Sequence, residues 1–413
     1  IDTTMLLQPF IMVLRSSTAT GPIVESVLTA LDTFFQSGII TENSISICSS
    51  ISVLLDAVAR CRFEATDRNQ DEVVLVHMLE LLRSTISLPI GNVLSDSDIW
   101  SIFDTVFVNS QEVGYSRLLR KVAERVLRDI TIIIFRRFSE SASLHEMREQ
   151  HLQNHKMSGI ELKRQRGMSL KSQSITPQPV SDTEKSSPTV SEESPKLNWD
   201  NAALRIITFL SSRINPNARG VGVSEDDSNN TLILCLRLMR MALESCGGMI
   251  ASSEPLFCII SDEFFKHLLM LALRPSAPLP MLSEILRIFT FFAATMRVEL
   301  KLQLEVFFQR LVFWVLEGNS KNPNLVGLVL DTLIDLSYDP AFLVDLYVNY
   351  DCDPQRSDVM ETLYKLLSEL VLNDVSVSTQ ATEALRVMLN GIYCIDHRID
   401  MKLEEQKRAI DEG

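Results

Sequence analysis

Apolar residues recur three and four positions apart along most of this chain, the spacing that gathers them on one face of an α-helix. The clearest run is RLLRKVAERVLRDITIIIF. There Leu119, Val122, Ala123, Val126, Leu127, Ile130, Ile133 and Ile134 form one stripe, and Arg117, Arg120, Lys121, Glu124 and Arg128 fall mostly off it. This predicts a core-facing helix. GPIVESVLTALDTFF and DEVVLVHMLELLR predict two more, with Pro22 suited to a first turn and Asp71 and Glu72 placed where a helix N-terminus favours negative charge. From about Ser139 the pattern lapses into the polar, basic HEMREQHLQNHKMSGIELKRQRG and the Ser, Thr, Pro and Glu-rich MSLKSQSITPQPVSDTEKSSPTVSEESP. Such a tract cannot bury enough surface to offset its ordering entropy, which predicts a flexible linker with some helix at its start.

After Trp199 the stripes return, from ALRIITFLSSRI to STQATEALRVMLNGIYCI. Val359, Leu363, Leu366, Leu367 and Leu370 make one of them. VELKLQLEV alternates as a half-buried strand would, yet Leu300, Leu304, Phe307, Leu311 and Val315 continue one helical face over a length no ordinary strand reaches. Helix is the prediction there. Helices of about 12 to 20 residues, paired roughly every 40 and joined by short polar turns, are the pattern of an armadillo or HEAT-like array. The expected fold is therefore all-α, a helical solenoid in two domains, 1–140 and 199–413, joined by a disordered linker over 141–198.

Composition narrows function mainly by exclusion. The 413 residues are 46% hydrophobic and 22% charged, with 14 glycines and 7% aromatics, which disfavours a sandwich or barrel rich in tight turns. A formal net charge of -14 supplies no broad basic surface for nucleic acid. Seven cysteines, Cys48, Cys61, Cys235, Cys246, Cys258, Cys352 and Cys394, are scattered without a C-x-x-C pair. They read mostly as small core residues of a reduced, cytoplasmic protein. No run reaches the length of a membrane span, and IDTTMLLQPF lacks the basic and apolar regions of a secretory signal, reading instead as part of something longer.

Candidate chemistry centres on LYVNYDCDPQRSDVMETL, where Asp351 and Asp353 flank Cys352. With Asp351 as the first position of a calcium loop, the sixth is Arg356 and the twelfth Thr362, where Gly and Glu are needed. A D-x-D metal motif would sit at a strand end, and no βαβ pattern surrounds it. His145, His151 and His155 lie in the polar tract without cysteine or carboxylate partners at ligand spacing. GVGVSEDD keeps Gly220 and Gly222 but has Glu225 for the third glycine of a dinucleotide fingerprint. His77 and His267 fall on helical stripes as packed or rim histidines. The run from His145 to Lys171 reads as solvated linker, or as weak attraction to an anionic cytosolic leaflet. None of these patterns calls for a cofactor or a metal.

The same stretch carries a resemblance. LYVNYDCD followed by a Leu-rich helix resembles the homology-upstream box of the large Arf guanine-nucleotide exchange factors, with Asn349, Tyr350, Asp351, Cys352 and Asp353 matching its N-Y-D-C-D hallmark. LQPF, TGPI, ARCRFEATDRNQDEVVL and YSRLLRKVAERVL look like the dimerisation and cyclophilin-binding domain of that family, closer to its Golgi-specific brefeldin A-resistance branch. The resemblance implies two helical, armadillo-like regulatory domains: 1–140, lacking its earliest helices, and 199–413. The 60 residues after the box are too few for an exchange domain, so the implied chain is non-catalytic. It also implies homodimerisation through the first domain, contact between the two domains, engagement of Arf and Rab GTPases, and peripheral recruitment to Golgi membranes. Glu72 matches an acidic residue of the family's dimer contact, while Thr33 stands where its basic partner would be.

For the box itself, Asp339 is expected to cap a short helix with Pro340 at its first position, and Ser357 to cap the next. Between them Asn349, Asp351 and Asp353 would bond loop amides while Tyr350 packs its ring. The expectation is an inter-helix loop that is architectural, a docking element against the first domain or a partner, or both. Thr176, Ser187 and Ser194, each before a proline, are candidate phosphorylation sites. The competing reading is an α-solenoid adaptor or transport scaffold binding peptides on its concave face.

Overall fold

A computed structural model describes residues 2–63, 68–166, 199–216, 225–319, 322–372 and 378–411. Among these every regular element is helical, and the one β feature is an isolated bridge between Asp2 and Ile45. The helices are α1 Thr3–Leu14, α2 Gly21–Gln36, α3 Ile47–Ala59, α4 Arg68–Ser87, α5 Asp96–Gln111, α6 Arg117–Arg166, α7 Trp199–Ile214 and α8 Glu225–Cys246. They continue with α9 Glu254–Cys258, α10 Phe265–Ala272, α11 Leu279–Thr295, α12 Lys301–Phe307, α13 Pro323–Ser337, α14 Phe342–Leu346, α15 Val359–Leu372 and α16 Thr379–Asp411. From α1 to α8 each helix packs on the one two places along. One row runs α2, α4, α6, α8, α11, α13, α16; the other runs α1, α3, α5, α7 and on through α9–α10 and the helix begun by α12 to α15. This two-row stack is the all-α solenoid that the periodicity predicts.

Helix ends are set locally. Ser95 and Asp98 form a reciprocal capping box at the start of α5. Asp2 accepts the amide of Thr4 at α1, and Asn322 that of Asn324 at α13. Pro22 falls in the first turn of α2, where its missing N–H costs no bond. VELKLQLEV is helix: the stripe Leu300, Leu304, Phe307, Leu311 and Val315 is buried, and the chain leaves the helical path at Gly318, whose φ of +78° favours glycine.

The predicted stripe of α6 is buried too, with Val126, Leu127, Ile130 and Ile134 at 0% exposure. Sequence reasoning missed how far its neighbours extend. α4 and α5 cover it from one side, and α7 and α8 from the other. Phe209 of α7 sits edge-on against Trp100, Phe103 and Phe107 of α5, with ring centroids 5.2, 6.1 and 5.1 Å away. Arg137 of α6 donates from one guanidinium nitrogen to the carbonyls of Ser87 and Leu88, at 3.3 and 3.1 Å, and lies 5.1 Å from the Trp199 ring centre. One cation thus closes the end of α4 and packs on α7 at Trp199.

The tract assigned to a linker begins as helix, since α6 continues to Arg166. Residues 167–198, and with them Thr176, Ser187 and Ser194, lie outside the described residues, as do Gly220 and Gly222 and the side chains of His145, His151 and His155. The cysteine expectation needs correction. Cys235, Cys246 and Cys394 are buried, but Cys48, Cys258 and Cys352 are exposed and Cys61 is intermediate; all are free thiols. Apolar neighbours in sequence do not place a cysteine on the inner face. Burial pushes the Cys235 thiol up to about 12, so that thiol stays protonated at neutral pH.

Gly391 marks the closest approach in the last repeat. A Cβ there would fall inside the envelope of the Tyr364 hydroxyl and 2.7 Å from Leu343 Cδ1. Gly391→Ala is expected to destabilise the chain by about 1–3 kcal/mol through overpacking. Tyr364→Phe, which removes a buried hydroxyl without a hydrogen-bond partner, should recover part of that loss in urea denaturation.

Candidate functional site

The N-Y-D-C-D segment is built on α12. Lys301, Glu305 and Gln309 follow one another at four-residue intervals and therefore share a face. That face receives the box. Tyr350 is buried and donates from its hydroxyl to the carbonyl of Lys301 at 2.9 Å, while the Lys301 ammonium lies 5.8 Å from its ring centre. Burial, reinforced by Glu305, pushes the Tyr350 phenol up, so it remains a donor. Lys301 Nζ also reaches Asp353 Oδ2 at 3.1 Å.

The box is mostly helix, where sequence reasoning expects a loop. α14 runs into a wide π turn, Tyr347–Asp351, so Asn349, Tyr350 and Asp351 occupy a helix C-terminus and only Cys352 and Asp353 lie beyond it. The Cys352 amide closes that turn onto the Tyr347 carbonyl at 3.0 Å. The capping assignments shift as well. α14 begins at Phe342 rather than at Pro340; Asp339 instead accepts the Ala341 amide at 2.9 Å and pairs with Arg297 at 2.7 Å. Arg297 forks to Asp345 at 2.7 Å, fastening α14 to the turn before α12.

Asp351, not Ser357, closes the start of α15. Its two carboxylate oxygens accept the amides of Met360 and Glu361, each at 2.9 Å. These are second and third-position donors that no helical carbonyl can satisfy. Ser357 is held by Glu305, which accepts its amide at 2.9 Å and its hydroxyl at 2.7 Å and pairs with Arg356 at 3.3 Å. Burial alone would raise the Glu305 carboxyl, but the bonds from Ser357 and Arg356 outweigh it and hold the group below its usual range. The Gln355 amide, followed by Lys301, holds Asp353 low in the same way.

Cys352 is exposed, and Asn349 is half-buried with no side-chain hydrogen bond among the described residues. Among the described residues the side-chain bonds of Tyr350, Asp351 and Asp353 run to α12, to α15 or to the turn before α15, and none to residues 1–140. Contacts that join the two halves, among them Phe209 on Trp100 and Arg137 on Trp199, were not picked out from sequence. Aromatic residues in apolar helices give no sign of which helix they meet. Glu72 accepts the Ser116 amide at 3.0 Å, at the start of α6, so it is engaged within the chain. Thr33 is exposed on α2 and bonds its own helix. His77 pairs with Glu25 at 3.3 Å and His267 is buried. Among the described residues no cluster of three or more His, Cys, Asp or Glu could hold a metal, and no helix is long and apolar enough to cross a membrane.

The box is thus a clamp of carboxylates on helix ends within a two-row helical stack. Comparison with known proteins gives its lineage. Residues 200–359 match the family described as Mon2/Sec7/BIG1-like, HUS domain, and that match ends just past the box. Over its full length the chain is 25% identical to ARF guanine-nucleotide exchange factor 2 of Saccharomyces cerevisiae, across 463 aligned residues that cover 100% of this chain and 32% of the relative. It is 26% identical to ARF guanine-nucleotide exchange factor GNOM of Arabidopsis thaliana, covering 88% and 27%. It is 23% identical to a Golgi-specific brefeldin A-resistance guanine nucleotide exchange factor 1 homolog of Caenorhabditis elegans, covering 95% and 25%. The chain carries a HUS domain of the Sec7-like exchange factors, and its homologues are large Arf exchange factors. It spans about a third or less of the length of these curated relatives.

Two outcomes follow from the clamp. Asp351→Ala should cost about 1 kcal/mol, the value of a helix N-cap, and raise hydrogen exchange at the Met360 and Glu361 amides. Because the folded-state pKa of Glu305 lies below its unfolded value near 4.3, its contribution is complete above that pH and lost as pH falls through the folded value. Glu305→Gln should therefore flatten the loss of stability between about pH 5 and pH 3, read from urea midpoints.

Proposed function

We propose that this chain is the non-catalytic regulatory region of a large Arf guanine-nucleotide exchange factor, controlling GDP/GTP exchange on Arf in vesicle trafficking. The observation that carries the proposal is the HUS match over 200–359, with the intact N-Y-D-C-D segment seated on α12 and α15. Similarity to Arf exchange factors across the whole chain supports it.

In this reading residues 1–140 form a dimerisation and cyclophilin-binding domain, 141–198 a joint, and 199–413 the homology-upstream region. The shared packing of α5 and α6 with α7 and α8 lets a force or ligand at one half bias the other, which suits a regulatory lever. Arf and Rab GTPases and a peripheral Golgi membrane are the proposed partners, and Asn349 to Asp353 a proposed partner contact as well as a clamp. Glu72 remains a proposed dimer contact and Thr176, Ser187 and Ser194 proposed phosphorylation sites.

The test compares nucleotide exchange on Arf by the parent protein with and without residues 1–413, in solution and on liposomes. A change in rate or in membrane partition is expected. Equal rates and equal partition in both settings would remove the regulatory reading.

A further inference from the structure

A groove of about 1340 Å³ opens between the α5–α6 turn, the end of α7 and the first turns of α8, in the middle of the chain. That is room enough for a small-molecule ligand. Arg117, Arg120, Lys121 and Glu124 line it together, because their spacing of three, one and three residues puts them on one face of α6. The three cations stand against local physics. They repel one another at three and four-residue spacing, and they crowd the positive end of a 50-residue helix whose first turn carries no acid. Glu72 serves the Ser116 amide there, at 3.0 Å, yet among the described residues no carboxylate pairs with Arg117, Arg120 or Lys121. Arg120 goes further, since its Nε is sealed from solvent without a hydrogen-bond partner. Such a donor costs stability until an acceptor reaches the guanidinium.

Arg213, at the end of α7, is a fourth cation without an ion pair among the described residues, and it is braced 5.1 Å from the Phe209 ring centre. Other charges in the groove are engaged. Arg237 pairs with Glu284 at 2.9 Å and Glu225 with Arg274 at 2.6 Å, Glu112 accepts the Gly114 amide at 3.4 Å, and Asp227 has partners of its own. Asp104 and Glu124 remain as carboxylates without an ion pair or side-chain hydrogen bond among the described residues.

We propose that this groove binds a phosphorylated polyol of the inositol phosphate class. Arg117, Arg120, Lys121 and Arg213 hold its phosphates, and Asp104 and Glu124 accept hydrogen bonds from its ring hydroxyls. Four free cations against two free carboxylates select a ligand that carries both groups. A bare anion would meet the two carboxylates as repulsion, and a nucleotide would lack a platform for its base, because the groove's one aromatic among the described residues, Phe107, is buried against Phe209. The site stands apart from the regulatory reading: equal exchange rates on Arf would leave it in place, and failure to bind would leave regulation untouched.

Isothermal titration calorimetry of the 413-residue chain with inositol 1,4,5-trisphosphate, pyrophosphate and myo-inositol tests it. The trisphosphate should bind more tightly than pyrophosphate, and myo-inositol should give no heat. Arg120→Gln should weaken the trisphosphate about tenfold or more, while the urea midpoint of the free chain stays level or rises because a repelling, unsatisfied cation is gone. The exposed Arg213→Gln should weaken it as well. Asp104→Asn should weaken the trisphosphate but strengthen pyrophosphate. Vesicles containing phosphatidylinositol 4,5-bisphosphate separate the sources: release of bound chain by free trisphosphate assigns a lipid headgroup, no vesicle binding assigns a soluble ligand, and both support the site. A lowered urea midpoint with unchanged affinity in Arg120→Gln would make that cation structural and overturn the proposal. So would pyrophosphate binding as tightly as the trisphosphate, or no heat from either.

Discussion

The apolar face of α6 is covered from both halves of the chain, and the rest of the structure is organised around that shared cover. Ile130, Ile134, Phe135 and Phe138 are at most 1% exposed, and fully burying each side chain of that size contributes about 1.5–3 kcal/mol. α4 and α5 supply one side of the cover, α7 and α8 the other. The two-row stack follows, because each helix that closes one face presents a new apolar face to the next. Arg137 ties the joint together: its guanidinium closes the end of α4 and packs on Trp199 of α7.

The N-Y-D-C-D segment solves a different problem, the junction of short helices that meet at their ends. Helix termini expose amides and carbonyls that need partners. Asp351 supplies an acceptor to α15 from the end of another helix, and Glu305 supplies one to Ser357 from the side of α12. Two interactions that usually come from a helix's own cap therefore come from its neighbours. Movement of α15 and the turn before it away from α12 and the end of α14 would strain both, which makes the segment a geometric lock as well as a sequence hallmark.

Periodicity made the helical class and the buried stripes legible, because burial on one face leaves a direct trace at three and four-residue spacing. The alternation in VELKLQLEV was a misleading trace with a physical origin. Lys301 and Glu305 are polar because the box lands on them, and Gln303 because it donates to the Ser261 carbonyl at 3.3 Å. A strand-like pattern thus arose from tertiary demands on a helix. The box residues were visible as a motif, but their partners lie about fifty positions upstream in Lys301 and Glu305, or ten downstream in Glu361. No spacing rule connects those positions. Phe209 and Trp100 were hidden for the same reason, since burial pattern reports that a face is covered and not by what.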